Sequence, residues 1–304
     1  MTGTARETTA DCLLWIGTSG YSYTEWLEAG FYPPGTRNAA MLRLYARSFP
    51  VTELNHTWYQ LPRAEAVERQ RLQAPPGFRF TAKLTRSLTH EVQPEAWRGQ
   101  LRAYREGIAP LVQAGQLLAV LVQLPPGFDR APAHRRYLDA LLDGLAGLPL
   151  AVEFRHASWA HDRVFAGLQE RGVTLVTVDE PALPGLFPAL AVTTNPALVY
   201  VRFHGRNAHG WRSGKMQLQF DYDYPEEELQ QMIAEVIGPL AAQARSAALF
   251  FNNHVRAQAP RNALTLARLL RDRGWTVVPP VAAAEDPGEL FARAERTPAE
   301  EELP

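Results

Sequence analysis

The sequence predicts an α/β fold in a single domain, a (β/α)8 or TIM-barrel-like closed ring of parallel strands. Three observations carry this reading. Eight short apolar runs recur along the 304 residues, each turns polar at its C-terminal end, and most are separated by stretches of helical periodicity. Continuous apolar runs alternating with helices mark parallel strands covered by an outer helical layer. Eight such units match the repeat of a closed barrel.

Taken in order, the runs are Leu14–Ser19 (LWIGTS), Val51–Asn55 (VTELN), Phe78–Leu84 (FRFTAKL), Leu117–Leu124 (LLAVLVQL), Leu150–Arg155 (LAVEFR), Thr174–Asp179 (TLVTVD), Leu198–Gly205 (LVYVRFHG) and Ala247–Asn253 (AALFFNN). Helical patterns fall at Asn38–Phe49, Glu95–Ala114, Ala133–Leu145, His161–Arg171, Glu226–Ala244 and Ala259–Arg273. Side chains alternate along a strand, so polar residues two apart share a face. Five runs carry such pairs: Glu53/Asn55, Thr81/Lys83, Glu153/Arg155, Thr177/Asp179 and Arg202/His204. In a barrel of this kind the last inward side chains converge at the C-terminal mouth, where active sites lie. Buried charges cost free energy unless they are compensated. Polar ends on all eight runs therefore point to a functional pocket more than to packing.

Composition bounds the rest. The chain is 46% hydrophobic and 21% charged, enough for a full core. Its net charge is −1, from 31 basic and 32 acidic residues, which does not indicate a general nucleic-acid surface. One cysteine, Cys12, excludes an intramolecular disulfide and a cysteine-rich metal site. Neither a long apolar span nor an apolar signal core is present, so a cytoplasmic location without membrane contact is expected. Residues 1–12 read as a flexible N-terminus, 13–283 as the barrel, and 284–304 as an acidic helix or tail.

The motifs add candidate roles. IGTSGYSYTEW (Ile16–Trp26) follows the first strand and matches no phosphate-loop or dinucleotide pattern. Its aromatic residues, Tyr21 and Trp26 among them, suit a lid or a flat wall for a sugar or base. In VTELNHTWYQLP, Glu53 beside Asn55 suits acid/base work with substrate orientation. FTAKLTRSLTHE contributes Lys83, read as an ion-pair or anion contact in preference to a Schiff-base lysine, and His90. EFRHASW contributes Glu153 and Arg155, and the later strands contribute Asp179, Arg202, His204, Asn252 and Asn253. Inward arginines suggest recognition of a carboxylate or phosphate. Glu53, Glu153, Asp179, His90 and His204 would together suit a divalent cation. No short-spaced ligand pair supports that, and Lys83, Arg155 and Arg202 would compete with the ion. No cofactor is therefore expected, with a divalent metal as the exception.

These segments, with FYPPG, KLTRSLTHE, LVQLPPGF, AVEFRHASW, VYVRFHG and FFNNHVRAQAPRNAL, resemble the signatures of the YecE-like family, domain of unknown function 72, from about Ile16 to Leu270. The resemblance implies a TIM-barrel-like fold and brings no settled reaction. It implies polar signature positions at Glu53, Asn55, Lys83, His90, Glu91, Glu153, Arg155, Asp179, Arg202, His204, Asn252, Asn253 and Asn262. Two places depart from it: His254 stands where the family tends to have threonine, and the segment after His204-Gly205 has an individual middle.

The expected function is an acid/base enzyme, of hydrolase type, acting on a small anionic or sugar-like substrate. Glu53 and Glu153 would move protons, with His204 and Asp179 as further acid/base groups. Arg155, Arg202 and Lys83 would bind an anionic group, and Asn55, His90, Asn252, Asn253, Tyr21 and Trp26 would contact substrate. One alternative is a divalent-metal-dependent isomerase or phosphodiesterase-like barrel. The other is a non-catalytic binder of an anionic metabolite or nucleic acid, using the aromatic loop and the residues around Trp211.

Overall fold

The computed structural model describes residues 12–281. The expected flexible N-terminus, apart from Cys12, and the acidic C-terminal segment lie outside the described residues. Eight strands form the ring: β1 Leu13–Ser19, β2 Val51–Leu54, β3 Arg79–Lys83, β4 Leu117–Gln123, β5 Leu150–Glu153, β6 Thr174–Asp179, β7 Val199–Phe203 and β8 Ser246–Phe251. All neighbours are parallel, and β8 closes on β1. Every side chain of β2, β5, β6 and β7 is buried, as strands packed on both faces require.

The longer helices cover the ring at Asn38–Tyr45, Ala64–Arg71, Trp97–Gln113, Pro132–Gly144, Asp162–Glu170 and Gln258–Asp272. Where one helix is expected over Glu226–Ala244, the structure has three pieces: Glu226–Met232, a π turn at Ile233–Ile237, and Gly238–Ala241. Pro239 has no N–H for the helical ladder, which accounts for the interruption. Between β6 and β7 there is no helix. Pro181, Pro184, Pro188 and Pro196 disfavour one, and the loop is instead tied to β6. Thr177 Oγ1 donates to the Leu190 carbonyl at 2.9 Å, and Thr194 Oγ1 to that of Val173 at 2.7 Å.

Strand register sets which side chains face the axis. Ser19, Glu53 and Thr81 are successive ladder partners, as are Gln123 and Glu153. Val178 pairs with Arg202, and Arg202 with Phe250. These residues point into the barrel. The next position on each strand points out: Asp179 pairs with Phe203, which stacks on Phe251 at 4.3 Å in the helical layer. The expected inward pair Thr177/Asp179 therefore faces outward, and Val176, Val178 and then Glu180 face inward.

Candidate active site at the barrel mouth

One guanidinium organises the barrel interior. Arg202, 2% exposed at the end of β7, donates from Nη1 to Glu153 Oε2 at 2.7 Å and from Nη2 to Glu53 Oε1 at 2.6 Å. Its Nη2 also lies 3.3 Å from Ser19 Oγ. Below this layer the Tyr200 hydroxyl donates to Glu53 Oε2 at 2.6 Å and lies 3.0 Å from Thr81 Oγ1. Glu53 and Glu153 are fully buried. Burial acts to raise the pKa of Glu153, but the charges of Arg155 and Arg202 outweigh it and hold the carboxyl well below its usual range.

Toward solvent the network continues through Arg155. Its Nε donates to Glu153 Oε1 at 2.5 Å, its Nη1 to Glu180 Oε2 at 2.7 Å, and its Nη2 lies 2.9 Å from His204 Nε2. The indole of Trp211 covers the guanidinium at 5.4 Å. His204 is wholly buried; desolvation first, then the positive charges of Arg155 and Arg202, push its pKa down to about 3. The ring is thus neutral. Both ring nitrogens face donors, Nε2 the Arg155 Nη2 at 2.9 Å and Nδ1 the Asn252 Nδ2 at 3.1 Å, and a neutral imidazole accepts from only one of them.

Two groups at this mouth are poised near neutrality. Glu180 is pushed up to about 7, chiefly by burial, and its Oε1 is buried with no hydrogen-bond partner among the described residues. Lys83, at the end of β3, is brought down to about 7 by burial first and then by the charge of Arg202. Its ammonium lies 4.9 Å over the Trp58 ring, and His90 stands edge-on to the same indole at 5.1 Å. Burial, followed by the charges of Lys83 and Arg155, lowers His90 to about 4.

Several expected contacts fall elsewhere. Asp179 accepts from Arg206 Nε at 3.0 Å and Nη2 at 2.8 Å and from the Tyr224 hydroxyl at 2.6 Å, so it anchors the loop after β7 from outside the barrel. Asn253 also points outward, donating to the Tyr222 carbonyl and to Asn262 Oδ1, both at 2.7 Å. Trp26 is fully buried and donates to the His254 carbonyl at 2.8 Å. Tyr21 packs in the helical layer against Tyr45, with its hydroxyl 2.9 Å from Gln70 Nε2. Arg202 gives both Nη groups to internal carboxylates, with its Nε buried and unpartnered among the described residues, so its guanidinium neutralises protein charge where an anion binder is expected. Lys83 is in no ion pair among the described residues, contrary to the ion-pair reading. Asn55 lies at the rim, where its side chain meets the Tyr23 hydroxyl. Glu91 is exposed beside Arg86 at 3.3 Å. The divergent His254 stacks on Tyr23 at 4.8 Å and lies 2.8 Å from Glu25, closing the first loop onto the last.

Glu180, Tyr200, Arg206 and Tyr224 were not among the sequence candidates. Glu180 follows Asp179 directly, and alternation from a correctly registered Val178 is the signal that finds it. Among the described residues no group of three or more His, Cys, Asp or Glu side chains is arranged to hold a metal ion. The cationic position between Glu53 and Glu153 is filled by Arg202. No helix among the described residues is long and apolar enough to cross a membrane.

Fold and site together define a TIM barrel with a charged, largely buried network at its C-terminal mouth. The chain belongs to the family described as protein of unknown function DUF72, whose model matches residues 15–286. A DUF72 family protein from Thermotoga maritima has 33% sequence identity and a TM-score of 0.77, over 85% of this chain and 99% of that one. UPF0759 protein YunF of Bacillus subtilis is 26% identical over 272 residues, 85% of this chain and 95% of its own. UPF0759 protein YecE of Escherichia coli is 29% identical over 173 residues, 55% of this chain and 59% of its own.

Proposed function

We propose that the protein is an enzyme using general acid/base chemistry at the barrel mouth on a small, polar, sugar-like substrate. The observation that carries this reading is Glu180. A buried carboxyl with one free oxygen, held near neutral pKa beside Arg155, is suited to pass a proton to or from a bound hydroxyl. Glu153 serves as the fixed charge that positions Arg155 and His204, and Glu53 holds Arg202 from the other side. A sugar-like substrate is favoured over a strongly anionic one because the arginines already neutralise protein carboxylates. For hydrolysis, Glu180 is the group able to protonate a leaving oxygen.

The test is a thermal-shift screen of the purified protein with monosaccharides, polyols, sugar acids and sugar phosphates, followed by turnover assays on each hit. A ligand of the native state raises the melting temperature by mass action. Turnover of a hit that is lost in Glu180→Gln, with the fold intact by circular dichroism, supports the reading. Full turnover in that variant, or no hit in any class, overturns it.

A further inference from the structure

Resting on the proposal that the barrel mouth is catalytic, we propose that Lys83 is its nucleophile, condensing through Nζ with an aldehyde or ketone substrate to form an imine.

The first support is the choice of residue. Of the 31 basic residues in the chain, only Lys83 and Lys215 are lysines. Arginine is the cation nearly everywhere, including the two positions that neutralise the buried carboxylates. Arginine cannot lose its proton in a protein, whereas a buried lysine can. One of two lysines therefore stands at the site where a free amine has a chemical use, and the other is exposed in the loop after β7.

The second support is the surroundings of Nζ. Glu53 and Glu153 are near enough to act on Lys83 electrostatically, yet both are bonded to Arg202, and Glu153 also to Arg155. The ammonium gains no carboxylate partner and rests on the face of Trp58. His90, held neutral, adds no counter-charge. The Lys83 side chain is half-buried, dry enough to favour the neutral amine and open enough to be reached. Desolvation of this kind activates lysine toward carbonyl carbon.

The chemistry balances without a further reagent. The neutral amine attacks the carbonyl carbon, an N–C bond forms, and the C=O π pair moves to oxygen. The amine proton passes to that oxygen through solvent, giving a carbinolamine. A second proton from solvent converts its hydroxyl to water, which leaves as the nitrogen lone pair forms the C=N bond. Hydrolysis by the reverse path frees the lysine.

The test is reductive trapping of the full-length protein with pyruvate and, separately, glycolaldehyde in the presence of cyanoborohydride, read by peptide mass mapping. The expected result is modification of Lys83 about tenfold or more faster than Lys215 at pH 7, the preference disappearing in urea. Lys83→Arg should lose the adduct and Lys215→Arg should retain it. Equal labelling of the two lysines, or a preference that survives unfolding, overturns the inference. Failure of both carbonyl compounds to modify Lys83 overturns it as well. Turnover of a sugar-like ligand that depends on Glu180 but is untouched in Lys83→Arg would leave the acid/base reading standing while this inference falls.

Discussion

Glu53 and Glu153 lie on β2 and β5, and a single guanidinium from β7 spans them, with N···O distances of 2.6 and 2.7 Å. Both carboxylates are fully buried. Truncating one partner of a buried ion pair leaves uncompensated charge, at a cost of about 3–5 kcal/mol. Arg202→Met should therefore destabilise the protein by that order in urea denaturation. Arg202→Met combined with Glu53→Gln and Glu153→Gln should recover much of the loss. A single variant as stable as the parent would refute the organising role of the guanidinium.

Tyr200 supports the same layer from below. Its hydroxyl, fully buried, joins Glu53 Oε2 to Thr81 Oγ1. Tyr200→Phe keeps the ring against Phe250 and strips one donor from a buried carboxylate, a loss of about 1–3 kcal/mol. The checks are the urea midpoint and an unchanged m-value, which separate lost stability from a changed unfolded state.

The barrel was legible in the sequence because each strand announces itself: an apolar run, a polar end, then a helical stretch. Glu153 with Arg155, and Arg202 with His204, could be placed on one inward face from spacing alone. Asp179 could not. In TLVTVD both faces of the strand are buried, so hydrophobicity carries no alternation from which to read the register. The ladder with β7 turns Asp179 outward and leaves the next residue, Glu180, at the mouth. Tyr200 escaped notice for a related reason, since inside VYVRF it reads as one more apolar strand residue. By sequence Trp26 and Tyr21 suit a lid or a flat wall for a sugar or base, but an aromatic cluster in a loop looks the same whether it covers a site or fills the helical layer.

Asp179 outside the barrel makes its own prediction. It holds Arg206 by two nitrogens and Tyr224 by its hydroxyl, while Tyr224 in turn accepts from the Gly205 N–H at 2.8 Å. Asp179→Asn should loosen the segment between Gly205 and Tyr224 without disturbing the Arg202 network. Faster limited proteolysis within 206–221, with little change in the global urea midpoint, is the expected outcome. Cleavage at the parent rate would show that the loop is held by other means.

Gly205 is fixed by the same turn. Its φ is +86°, and a Cβ there would lie 2.5 Å from Tyr222 Cβ. Gly205→Ala meets both backbone strain and a clash, so a loss of at least about 1 kcal/mol is expected, measured by urea denaturation. Because the residue follows His204 directly, the variant should also weaken any ligand found in the thermal-shift screen.

Two opposed pH dependences should be separable at the mouth. Glu180, raised from 4.5 to about 7, binds a proton in the folded protein that the unfolded chain has released. Its burden on stability is absent below about pH 4.5, grows as pH rises toward 7, and is complete above that. Lys83, lowered from 10.5 to about 7, behaves in the reverse sense. The unfolded chain keeps a proton that the folded protein sheds, so the burden is complete below about pH 7 and fades as pH rises toward 10.5. Glu180→Gln should therefore stabilise the protein most at pH 8 and not at all near pH 4.5. Lys83→Met should stabilise it at pH 6 by about 1–3 kcal/mol, with the gain vanishing toward pH 10.5. Urea titrations of both variants against the parent from pH 4.5 to 10 test the pair together, and a pH-independent difference in either would remove that residue from the titrating site.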